Sequence, residues 1–268
     1  MQKNIDDIAF ELAGNLSADQ VGKRWQALEE KKWATPEKTE QENEYWQKVF
    51  SEDQAKPFLY VARPTKQEMT YEDARKKVWA LMQLRAAHIS QLENREFNWV
   101  FDDEERKRNA NIVKYFINDP TCEFPLSKGL FFYGMPGTCK TEIMTAMERF
   151  CRENELSKSF ELGSLSKIYV QAKSDTNFDP ITSNIQFDRA FDELGRYAGP
   201  VKRFGDDLDI NEGIVEQRYE RMRRYGQLTH FIANLTPNDL QNVVSPMLFD
   251  RLRSMCTGVY FKGQSKRS

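Results

Sequence analysis

Two histidines, four cysteines with no C-x-x-C spacing, and no apolar stretch of membrane-spanning length leave this 268-residue chain few metal, disulfide or membrane signals. Cys122, Cys139, Cys151 and Cys256 show no paired spacing, so no disulfide frame is expected. The first seven residues hold no apolar core of signal-peptide length, which points to a cytoplasmic protein without a membrane partner. His88 and His230 are too few for a zinc site, and His230 lies in an apolar run where a core role fits better. Neither sign of charge dominates. With 39 Lys and Arg against 41 Asp and Glu, the net charge of −2 gives no global pull toward nucleic acid. Any DNA contact falls to local clusters, Arg221, Arg223 and Arg224 on one segment and Lys262, Lys266 and Arg267 at the end; otherwise these are a solvated helix face and a ragged terminus. Repeats and low-complexity tracts are also missing, and the length suits one α/β domain plus a smaller module.

What is present is a phosphate-binding loop. Gly134, Met135, Pro136, Gly137, Thr138, Cys139, Lys140 and Thr141 match G-x-x-x-x-G-K-[ST] at every position but the second glycine, where Cys139 stands. Residues 129–133 ahead of it are apolar and aromatic, as in a buried parallel strand. Behind it, Ile143, Met144, Met147 and Phe150 recur at helical spacing over 141–155. In such a strand, loop and helix, the N–H groups of the helix start face phosphate oxygens, Lys140 adds a full charge, and Thr141 offers its hydroxyl to Mg²⁺. ATP with Mg²⁺ is the expected ligand.

Cys139 puts a Cβ and a sulfur where glycine lets the backbone approach phosphate. Three readings follow: a natural variant with weakened nucleotide binding, a loop that no longer turns ATP over, or a thiol under redox control. Impaired but retained binding is the one carried forward.

After residue 95 strands and helices alternate, which predicts a parallel sheet. Candidate elements are a strand at 158–162, a helix at 164–172, a strand leading into Asp192-Glu193-Leu194-Gly195, a charged helix at 211–225, a strand at 228–233 ending on Asn234, and a last strand at 258–261. Acids at a strand end suit a P-loop ATPase, Asp192 for the metal and Glu193 for the attacking water. Asn234 would touch the γ-phosphate or that water, and Arg251 would reach a neighbour's phosphate. Before residue 95 the chain reads as helical: 17–32 behind a capping box, 36–50, and a long helix from Thr70 carrying Val78, Leu81, Met82, Leu84, Ile89 and Leu92. Trp25, Trp33, Trp46 and Trp79 fall in this half, as core or as a docking face.

The ordered strings Gly134 to Thr141, Asp192-Glu193-Leu194-Gly195, Ile232-Ala233-Asn234-Leu235-Thr236-Pro237 and Asp250-Arg251-Leu252-Arg253 resemble the AAA+ ATPases of the DnaC/IstB group, helicase loaders and their relatives in phages and transposons. The resemblance covers about residues 98–268. It implies an α/β AAA+ P-loop domain (96–268) with a five-stranded parallel sheet and no C-terminal lid, preceded by a mainly helical partner-binding domain (1–95). It further implies ATP and Mg²⁺, self-assembly into a ring or spiral, a hexameric replicative helicase as partner, and single-stranded DNA binding. Residue by residue, it assigns Lys140 and Thr141 to phosphate and metal, Asp192 and Glu193 to metal and water activation, Asn234 to the first sensor and Arg251 to the arginine finger. An IstB-like transposition ATPase serving a transposase, and a nucleotide-holding scaffold without turnover, are the alternatives; a small-molecule kinase fits less well, for want of an evident lid.

Overall fold

The computed structural model describes residues 67–175, 177–196, 201–203 and 206–263. The helices expected at 17–32 and 36–50, together with Trp25, Trp33, Trp46, Lys266 and Arg267, lie outside them. Among the described residues two helices come first, α1 (Tyr71–Glu93) and α2 (Asp103–Phe116), and β1 (Gly129–Gly134) then leads through the loop into α3 (Lys140–Glu153). There follow β2 (Glu161–Ser164), α4 (Leu165–Ser174), β3 (Arg189–Asp192), a small hairpin of β4 (Val201–Arg203) and β5 (Asp206–Leu208), α5 (Ile210–Tyr225) and β6 (Thr229–Ile232). Two short helices, α6 (Pro237–Val243) and α7 (Pro246–Met255), precede the final β7 (Cys256–Phe261).

Five strands form one sheet in the order β2-β3-β6-β1-β7, and every pairing in it is parallel. The α/β fold with a five-stranded parallel sheet is therefore as expected. Parallel strands need crossover helices, and those helices bury both faces of the sheet. Alternation along β1 makes this concrete. Leu130 and Phe132 enter one core with Met144, Met147, Phe150 and Ile232, while Phe131 and Tyr133 enter the other with Phe191, Phe231, Ile214 and Leu252.

The division expected near residue 95 does not fall at a change of packing. Ala74, Val78, Met82 and Ala86 of α1 are buried in the same core as Phe132 and Met144. Trp99 Nε1 donates to the Met82 carbonyl at 2.5 Å, and the Glu68 carboxylate accepts from the Ser157 N–H at 2.8 Å and from Asn118 at 2.8 Å. Within the described residues α1 thus belongs to the P-loop body. Its apolar face is also narrower than its sequence suggests, since Leu84 and Leu92 are 57% and 70% exposed while Ala74 and Ala86 are buried in the core.

Other expectations shift by a few residues for visible reasons. The strand expected at 158–162 starts at Glu161, because Lys158 is buried with its Nζ on the Tyr115 carbonyl at 2.8 Å and over the Tyr115 ring. Asp188 and Arg189, odd residues for a strand, bind the Leu228 N–H at 3.1 Å and the Glu161 carboxylate at 3.0 Å. Arg218 is fully buried in α5. It donates to Thr229 Oγ1 and to the carbonyls of Ile185, Phe187 and Leu228 at 2.7 to 2.8 Å, clamping the chain segments that enter β3 and β6.

Candidate functional site

Because all five strands point the same way, their C-terminal ends share one edge, and the crevice there is where open α/β sheets place ligands. β1 delivers the loop to that edge. Gly134 takes φ 132°, and a Cβ built on it would stand 2.4 Å from the Phe261 carbonyl oxygen, so β7 leaves room here only for glycine. Gly137 follows at φ 82° and Cys139 at φ 66°, ψ 18°, both left-handed. Cys139 therefore occupies a glycine-type backbone conformation as well as a glycine position in the motif. Its Sγ lies 3.8 Å from the Gly137 carbonyl.

Helix α3 starts differently from its neighbours. Thr70, Asp102, Ser164, Asp209, Thr236 and Ser245 each cap a helix with a side-chain oxygen, whereas Cys139 makes no side-chain cap. The first N–H groups of α3 are left without that acceptor at the head of the helix dipole, an arrangement suited to an anion. Lys140 is buried beside them, its Nζ on the carbonyls of Gly134 and Met135 at 2.9 and 2.6 Å and on Thr138 Oγ1 at 3.2 Å. Behind the loop, the Arg108 guanidinium stacks 3.9 Å from the Phe261 ring centre; burial lowers its pKa to about 10.

The acids arrive from β3, separated from β1 by β6. Thr141 Oγ1 donates to Asp192 Oδ2 at 2.7 Å, so the hydroxyl and carboxylate expected to serve one metal ion already meet. Both are oxygen donors of the hard kind that Mg²⁺ prefers, and the residues present fit that ion. Burial raises the Asp192 pKa, opposed by the hydrogen bonds from Thr141 and from the Glu193 N–H. Glu193 takes φ 67° and turns off the strand. Its Oε2 accepts from Ser164 Oγ at 2.7 Å and its Oε1 is ion-paired with Arg196. Burial alone would push that carboxyl up, yet the nearby hydroxyls of Ser166 and Ser164 and the charge of Arg196 together hold it below its ordinary value.

Asn234 stands just past β6, where Ala233 N–H donates to the Phe132 carbonyl at 2.9 Å, and it lines the cavity over the loop. That cavity is about 230 Å³, with Pro136, Gly137, Cys139, Lys140 and Thr141 on one side and Arg85, Ile89, Leu92 and Phe97 among the residues opposite. A roomier space of about 470 Å³ lies between α1, α2 and α3, lined by Trp79, Trp99 and Phe101 among others, and holds none of the expected site residues. Lys140, Thr141 and Asn234 line the smaller one. Arg251 does not line it; on α7, its Nη2 pairs with Glu216 of α5 at 3.0 Å.

Sequence reasoning passed over Ser164, Arg196, Arg85 and Glu142. Ser164 carried a detectable signal, as a hydroxyl between a strand and a helix; Arg85 carried none, because only folding brings α1 to the loop.

No family model matches the sequence and no curated protein matches it. Among solved structures, the chain is similar to one described as a primosome component from Streptococcus pyogenes serotype M3, at 18% identity and TM-score 0.48, covering 63% of this chain and 85% of the other. It is also similar to DnaI (16%, TM-score 0.47, covering 63% of this chain and 88% of the other) and to the DnaC helicase loader (15%, TM-score 0.43, covering 62% and 94%). At such identities the likeness concerns the path of the backbone, and what the site does is argued from its own side chains.

Proposed function

We propose that the chain binds ATP with Mg²⁺ at residues 134–141 and acts as a helicase-loader-like ATPase of slow turnover. The observation that carries this reading is the 2.7 Å Thr141–Asp192 hydrogen bond beside a helix start that lacks a side-chain cap. Lys140 and the first N–H groups of α3 would hold the β- and γ-phosphates, Thr141 and Asp192 the metal, and Asn234 the γ-phosphate end. Bound Mg²⁺ supplies charge neutralisation at the phosphate oxygens. Glu193 would take the proton of the attacking water. Its lowered pKa makes it a weak base, which favours slow hydrolysis. A hexameric replicative helicase, single-stranded DNA and further copies of the chain are the proposed partners, on the strength of the resemblance of the four ordered strings to the DnaC/IstB group; a transposase takes the helicase's place in the IstB-like variant.

The ion pair of Glu193 with Arg196 also favours a second reading, a scaffold that holds nucleotide without cleaving it. Calorimetry with ATP and a phosphate-release assay separate the two. Lys140→Ala is expected to lose binding, and Glu193→Gln to keep binding while losing turnover; binding that survives Lys140→Ala would refute the site. Co-purification with replicative helicases, with a transposase as comparison, tests the partner.

A further inference from the structure

The cavity over the loop carries an acid where a phosphate site has no use for one. Glu142 is the third residue of α3, its side chain is only 18% exposed, and it lines the cavity together with Lys140 and Thr141. A carboxylate in the first turn suits the helix dipole but repels a polyphosphate bound to the same turn. Helix α1 answers that charge. Arg85 Nε donates to Glu142 Oε2 at 2.5 Å and Arg85 Nη2 to Oε1 at 3.2 Å, a two-point pair between residues 57 apart in sequence. The hydrogen bond to Glu142 in turn raises the Arg85 pKa, so the guanidinium stays charged throughout the working range.

We propose that Arg85 is a positioning residue for nucleotide binding, which cancels the Glu142 charge inside the phosphate cavity and ties that carboxylate to α1. The proposal rests on the nucleotide-binding reading above and extends it to a helix outside every recognised motif. Arg85 works through Glu142, so its value depends on that acid being present.

The test is ATP affinity by calorimetry for the full chain and for Arg85→Ala, Glu142→Gln, the double variant and Lys140→Ala, with thermal melting of each without nucleotide as the check on folding. If the unaltered chain binds no ATP, the nucleotide reading itself fails. Given binding that Lys140→Ala abolishes, Arg85→Ala is expected to weaken it tenfold or more. Glu142→Gln should stay within threefold or tighten, and the double variant should return to within threefold of the unaltered chain. Arg85→Lys, which keeps the charge and the stem, covers the case in which the alanine variant does not fold, and is expected to retain most of the affinity. Unchanged affinity in Arg85→Ala, equal losses in the single and double variants, or a loss in Arg85→Lys as large as in Arg85→Ala would each overturn the proposal.

Discussion

Cys139 turns left-handed because the chain has to reverse before Lys140 opens α3, and a residue with a Cβ carries that turn at a cost of about 1–2 kcal/mol. Cys139→Gly is therefore expected to stabilise the protein by about 1 kcal/mol in chemical denaturation, and to tighten ATP severalfold in calorimetry. Equal stability and affinity in the two proteins would place the strain elsewhere. Asp192 gives a prediction of opposite character. Its folded pKa is raised, so its contribution to stability is full below the unfolded carboxylate range and is lost as pH rises through the folded value. At pH 7 the ionised side chain is a net cost to the nucleotide-free protein. Asp192→Asn should raise the melting temperature there, and should lose the extra stabilisation that Mg²⁺ gives in the presence of ATP. A lower melting temperature without nucleotide would show that the bond from Thr141 outweighs burial.

At the scale of elements, α1 matters most for how the protein is divided. Val78 and Met82 alone bury side chains worth roughly 3–6 kcal/mol together by transfer estimates. A chain starting at residue 67 should unfold cooperatively, whereas one starting at residue 96 should melt without a sharp transition and bind apolar dyes; equal cooperativity would support a boundary at 95. The strands were largely legible in the sequence, since short aromatic runs such as that of β1 have little use except in a buried parallel sheet. The loop and the acids were legible through fixed spacing along one stretch of chain. What spacing could not report was α1 against α3, or Ser164 against Glu193, because each joins segments whose distance in sequence carries no information about their distance in space. The packing of α1 was obscured further by its small core residues, Ala74 and Ala86, which read as neutral in a hydrophobic pattern while the exposed Leu84 and Leu92 read as core.

For the whole molecule, Arg251 frames the question of assembly. Its pair with Glu216 holds it at rest on its own chain, so a role on a neighbour's phosphate requires that pair to open. Mixing Arg251→Ala with Lys140→Ala tests this: each supplies the half-site the other lacks, and mixed oligomers should recover part of the ATP turnover absent from either alone. Verified mixed oligomers with no recovery would assign Arg251 to the α5–α7 contact. Among the described α-helices, α3 starts without a side-chain cap while the six others have one, and this also bears on how the molecule breathes. In amide hydrogen exchange, the N–H groups of Thr141 and Glu142 should be faster in deuterated buffer than those in the first turns of the described α-helices that carry a side-chain cap, and ATP should slow them. The helix start that has no side-chain cap then becomes a timer, reading nucleotide occupancy as a change in how long a proton stays.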